Sequence, residues 1–211
     1  MTRRISSLVL LASCIAAQVA QAQELRLGLG RAESDHELLG SPLSIAAGVG
    51  ARANPWLGFR FGLQYGRDHF TSSGSTCAGL VPPDADCGPE LRDDEARIMA
   101  LALGLALTRS FGRAEVSLVP ALRRMHMSSQ QEGTETGNVR GADKTAYGFG
   151  IGIEGQIHLS RTPAVALYLS ASSASHPWSS DEIVPDGYTP FQDGARLSWI
   201  EVGLAVDLGG R

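Results

Sequence analysis

His126 and Ser128 stand two residues apart in the stretch RRMHMSSQ, with Glu132 and Glu135 close behind. On a β-strand, residues i and i+2 point to the same side. An imidazole and a hydroxyl on one face are the makings of a base and its nucleophile, and a carboxylate can orient the imidazole. The plain alternative is a polar strand end. A second cluster, PPDADCGPELRDDE, carries Asp84, Asp86, Glu90, Asp93, Asp94 and Glu95, hard oxygen ligands of the kind that bind divalent cations. Their spacing lacks the EF-hand pattern, so a solvated acidic loop is favoured. Cys77 and Cys87 flank a Pro-Pro turn and suit a structural disulfide clipping one loop. They have no His between them and no C-x-x-C spacing, which argues against a metal site or redox pair. His36, His69 and His176 are scattered. With no zinc signature and no phosphate-cradling loop, no cofactor is expected; the G-x-G matches in YGFGIGIEG fall at strand periodicity and carry no weight.

What must position these groups is set by the apolar pattern. Ile98 to Leu107 is an unbroken apolar run. As a helix, ten residues rise about 15 Å, half a bilayer's hydrocarbon core, whereas about ten residues of tilted strand cross it. Residue size decides: Met99, Leu101, Leu103, Leu105 and Leu107 alternate with Ala100, Ala102, Gly104 and Ala106, a period of two. The same alternation recurs around Leu27, Ile45, Phe61, Leu118, Ile151, Leu167 and Val202, which predicts eight strands. RANPW (52–56), TRSFGR (108–113) and SRTP (160–163) are short turns. Arg31 to Ser41, Asp68 to Asp94, Met127 to Asp143 and Ser172 to Ala195 are longer polar segments, expected as loops.

The face opposite the large residues is mainly Gly, Ala and Ser with isolated charges, a poor surface for water but suited to a crowded lumen. Eight strands leave an interior just wide enough for side chains. The large residues then face lipid, where no backbone group can stay unpaired and the sheet must close. Trp56 and Phe111 at the turns, and Tyr65, Phe70 and Tyr147 near the loops, suit two interfacial girdles. The expected fold is an all-β, eight-stranded, antiparallel up-and-down transmembrane β-barrel.

The chain opens as an exported one. MTRR is a basic n-region, ISSLVLLASCIAAQVA an apolar h-region and Ala20-Gln21-Ala22 a cleavage site. This predicts a signal peptide over 1–22 and a barrel domain over 23–211. Leu11-Ala12-Ser13-Cys14 offers the alternative of a lipoprotein acylated at Cys14, with a shorter h-region. Eighteen basic against 22 acidic residues give a net charge of −4, with Lys144 the only lysine, so no nucleic-acid partner is expected.

Eight alternating strands, a cleaved signal and the short-turn, long-loop rhythm resemble the small outer-membrane barrels of OmpA, OmpX and OmpW type. That resemblance implies residence in the bacterial outer membrane, short turns facing the periplasm and lipid and lipopolysaccharide as surroundings. It also implies four surface loops able to meet an extracellular ligand. The chain departs from the pattern in ending AVDLGGR, without the usual terminal aromatic residue. His126-x-Ser128 weakly resembles the motif of outer-membrane lipid A deacylases, but Ser129 follows where that motif has Asn. Buried charges need partners: strand adjacency predicts lumen pairs Arg26–Asp207 and Arg123–Glu154, and the small fourth-strand face of Ala102, Gly104 and Ala106 lets Arg60 and Glu115 meet across it. The function expected is a monomeric, non-enzymatic, structural or surface-interaction protein. The alternatives are a porin-like conduit for hydrophobic solutes of OmpW type, and a lipid A hydrolase using His126, Ser128 and Glu132.

Overall fold

The computed structural model describes residues 24–35, 40–75, 88–134, 139–161, 164–176 and 195–208. The segment expected as a signal peptide, with Cys14, the expected disulfide residues Cys77 and Cys87, and Asp84, Asp86 and Glu135 lie outside the described residues. Eight strands follow in order: β1 (Glu24–Ser34), β2 (Leu43–Asn54), β3 (Leu57–Ser75), β4 (Pro89–Phe111), β5 (Ala114–Gly133), β6 (Val139–Arg161), β7 (Ala164–His176) and β8 (Ala195–Asp207). Each pairs antiparallel with the next, and β8 pairs with β1, so the sheet closes into a barrel. Closure removes every edge that would leave backbone donors bare against lipid.

Local chemistry makes the tight turns. Asn54 Oδ1 accepts from the backbone N–H of Trp56 (3.0 Å) and Leu57 (2.8 Å), a side-chain mimic of a turn. Gly112 sits at φ 65° between β4 and β5, where other residues are strained. Inside the sheet, Pro120 on β5 has no N–H to give. The β4–β5 register runs to Gly104↔Ala121 and resumes at Leu107↔Leu118, while β5–β6 pairing continues through Pro120↔Ile151. A Cβ on Gly104 would lie 2.9 Å from Val119 Cγ1 and 3.1 Å from Pro120 O, so glycine admits the close approach there.

Residues alternate between the faces as the size pattern requires. Leu103 is 47% and Leu122 65% exposed, and Leu27, Phe149, Ile153 and Ile200 also stand on the outer face. Such a continuous apolar belt is far larger than a soluble monomer's surface carries. Arg60, Glu115, Arg123, Glu154 and Glu201 are buried on the inner face.

Three expectations need correction. The predicted loops are shorter than their polar composition suggested: β3 continues to Ser75, β4 starts at Pro89, β5 reaches Gly133 and β6 starts at Val139. These four strands have 19 to 23 residues, against 11 to 13 for β1, β2, β7 and β8. Since about ten residues cross a bilayer, and the turns are tight at one end, the surplus projects beyond the belt at the loop end. Phe70 leaves the girdle, because its even-numbered parity with Asp68 and Ser72 turns it inward, toward Gly40. Nor is the lumen small-residue throughout. Near the loop end Ile98, Met125, Met127, Leu197 and Trp199 pack into one buried apolar cluster, with Ala32, Ala100, Ala146 and Ala174 filling the gaps.

Candidate functional site

The lumen is the most elaborate polar site among the described residues, and it is built in layers from the turn end upward. In the lowest, Arg52 donates through both terminal nitrogens to Glu115, one of them at 3.1 Å; Ser110 Oγ donates to the same carboxylate at 3.2 Å. His158 Nε2 stands 3.5 Å from it. Above lies a quartet. Arg26 Nε is 2.9 Å from Glu24 Oε1, Arg26 Nη1 donates to Glu154, and Arg60 Nη2 stands 3.7 Å from Glu24 and 3.9 Å from Glu154. Gln156 Nε2 donates to Glu24 at 3.2 Å. In the third layer Tyr168 and Gln64 (2.9 Å) donate to Glu201, and the Arg26 guanidinium stacks 4.2 Å from the Tyr168 ring centroid.

Tyr168 reaches Glu201 because β8 and β1 leave it room. In register Tyr168 faces Gly203, and Gly203 faces Gly28. A Cβ on Gly28 would fall 2.3 Å from the tyrosine oxygen. The next charged layer is Arg123, which donates to Ser172 Oγ at 2.7 Å and stacks 4.3 Å from the Trp199 ring centroid. Trp199 begins the apolar cluster that packs above it. Between these layers remains a cavity of about 120 Å³, room for a few waters.

The six charged residues expected in the lumen all occur there, but with other partners. Arg26 takes Glu24 and Glu154; the register sets Asp207 opposite Glu24 and Ala205 opposite Arg26, and the charge of Asp207 acts on Arg52. Arg60 turns to Glu24 and Glu154, because Arg52 from β2 already holds Glu115. Arg123 lies too far up β5 to contact Glu154, which faces Ser117 in register. Arg52, Glu24, Tyr168 and Trp199 were missed as site residues. Glu24 and Arg52 continue the inward parity of their strands, whereas Trp199 falls just before the stretch recognised as β8.

His126 and Ser128 face outward at the loop end, as their parity implied, and His126 Nδ1 lies 3.1 Å from Thr145 Oγ1. Glu132 is six residues further up the strand, about 20 Å away, and cannot orient the imidazole. Asp94 and Glu90 point inward and Asp93 and Glu95 outward, so strand parity divides the acidic run between two faces. His126→Ala is expected to leave lipid A unchanged; mass spectra of lipid A from cells carrying each form test this, and a shift in acylation would restore the hydrolase.

No protein-family model matches the chain, and no curated protein sequence does. Solved structures do. The attachment invasion locus protein Ail of Yersinia pestis superposes with TM-score 0.52 at 14% identity, covering 88% of this chain and 98% of Ail. Ail with the heparin analogue sucrose octasulfate gives 0.50 at 15% identity, covering 87% and 94%. Neisserial surface protein A gives 0.51 at 13% identity, covering 88% and 96%. At such identities the likeness is one of fold. By its own closed sheet and apolar outer belt, the chain is an eight-stranded antiparallel β-barrel, similar in fold to small outer-membrane barrels.

Proposed function

We propose that this barrel is a non-enzymatic surface protein that works through the part of β3–β6 standing beyond the membrane and the loops those strands carry. The observation that carries this reading is the filled lumen. Arg26, Arg52 and Arg60 are met by Glu24, Glu115 and Glu154, Arg123 donates to Ser172, and an apolar cluster lies above them. A barrel so packed has little to offer a solute, which speaks against the conduit. Its distinctive investment is the long strands, whose exposed face mixes Arg67, His69, Leu91, Asp93, Glu95 and Arg97. Such a surface suits an extracellular macromolecule rather than a small ligand. Ail, by name an attachment invasion locus protein, has the same fold.

The test trims the projection. Residues 72–92 are replaced by a two-residue hairpin turn, which shortens β3 and β4 together and keeps their register. The trimmed barrel is expected to refold in micelles with its heat-shifted gel mobility intact and to lose adhesion of protein-bearing cells to host-cell or matrix surfaces. Adhesion equal to the full chain's, or steady single-channel conductance in planar bilayers, would defeat the proposal.

A further inference from the structure

On the outer face, one transverse row of the barrel breaks the apolar belt. Arg31 pairs with Leu43, Leu43 with Arg67, and Arg67 with Arg97, so three outward guanidiniums stand on β1, β3 and β4 at the loop-end margin of the belt. Glu95 serves two of them: it is 2.9 Å from Arg67 Nε and accepts from Arg97. The hydrogen bond from Arg97 holds the Glu95 carboxyl below its ordinary range, so it remains an anion and offsets one charge of the two. Arg31 makes no ion pair among the described residues. Glu33 holds the next outward position on β1, and no ion pair joins it to Arg31 among the described residues. The row therefore keeps an excess of positive charge on the surface that meets the lipid headgroups.

Directly beneath, the belt has a dent. The next two rows down read Leu29–Ile45–Tyr65 and Leu27–Ala47–Leu63. Ala47 is the small member among large outward neighbours, and around it lies an apolar groove of about 490 Å³, bounded on the β8 side by Val202 and Leu204. That volume is in the range of ligand sites. The groove centre lies about 13 Å below the arginine row. Arg31 and Arg67 stand about 10 Å apart, two strand spacings, a gap that two extended arginine side chains can close upon one phosphate.

We propose that the Arg31–Leu43–Arg67–Arg97 row and the groove at Ala47 form one site for a phosphorylated acyl lipid of the outer leaflet, the lipid A class. An acyl chain lies over Ala47, and a phosphate is held between Arg31 and Arg67. A second copy of the chain would fill the groove but leave the guanidiniums without an anion, which is why lipid is favoured. The assignment rests on the outer-membrane reading and says which part of the wall grips lipid rather than merely touching it.

The experiment uses the full chain refolded in detergent, with native mass spectrometry reading bound lipid. The probes are bis-phosphorylated lipid A and the same lipid with its phosphates removed. The wild type is expected to retain the phosphorylated form at least about fivefold better, the equivalent of roughly 1 kcal/mol for one arginine near a lipid surface. Arg31→Gln is expected to erase most of that preference, and Ala47→Phe, which fills the dent, to weaken retention of both lipids. Both substitutions face lipid, and heat-shifted gel mobility confirms that each variant has folded. Equal retention of the two probes by the wild type, or variants that behave as the wild type does, would overturn the site. So would a dimer that Ala47→Phe dissolves, since the groove would then belong to a second copy. A wild-type chain that refolds only in plain buffer would instead sink the outer-membrane reading itself.

Discussion

Glu154→Leu is expected to destabilise the barrel by about 3–5 kcal/mol, the cost of leaving a buried charge without its partner. Glu154 is the carboxylate two guanidiniums share: Arg26 donates to it and Arg60 stands 3.9 Å away. With it gone, Glu24 faces both arginines alone, at 2.9 Å and 3.7 Å. Arg26 is also trapped against Tyr168, so it cannot swing out to solvent. The effect should appear as a fall in the urea midpoint for unfolding from micelles. Arg26→Leu in the same background separates pairing from packing. The double variant is expected to be more stable than Glu154→Leu alone, because replacing both ions by apolar groups removes the unpaired charge. A double variant that merely adds the two single losses would show that packing volume, and not the ion pair, holds the quartet.

This network marks where reading the sequence succeeds and where it stops. A period of two is a local property, so the outward Leu103 and Leu105 and the inward Ala102, Gly104 and Arg123 follow from adjacent residues alone. Strand order follows as well, since an up-and-down barrel pairs neighbours in the chain. Side-chain partners do not follow. Arg26 on β1 meets Glu154 on β6, 128 residues away, because the ring is narrow enough for side chains to cross the axis. Adjacency therefore favoured Asp207, when the lumen allowed a partner from the far wall. The projecting strands were hidden for another reason. Beyond the membrane the outer face must be polar, so HFTSSGS and PELRDDE lose the apolar alternation that identifies a strand and read as loop. The same change of solvent lets the inner face turn apolar at Met125, Met127 and Leu197, where a rule of small residues inside had been extrapolated from the belt. His126 and Ser128 show the converse case: parity placed them correctly on the outer face, but spacing along a strand put Glu132 out of reach.

Leu103→Arg tests the direction of the two faces, and its neighbour supplies the control. Leu103 lies in the outward row Phe61–Leu103–Leu122 at the middle of the belt. An arginine there is expected to cost roughly 2–4 kcal/mol at the bilayer midplane, seen as a lower folded fraction in phospholipid vesicles. In small detergent micelles the long side chain snorkels to the nearby polar surface, so most of the loss should disappear. Ala102 sits in the adjacent inward row, between Gly62 and Arg123, and lines the 120 Å³ cavity. An arginine at 102 would overfill that space and stand beside the Arg123 guanidinium, which already has Ser172 as its hydrogen-bond partner. Neither penalty depends on the surrounding lipid, so Ala102→Arg is expected to fail equally in vesicles and micelles. The contrast between the two solvents therefore reports orientation separately from stability. If the solvent dependence fell on position 102 and not on 103, the faces would be reversed: bulky residues would fill the lumen and the charged rows would face outward.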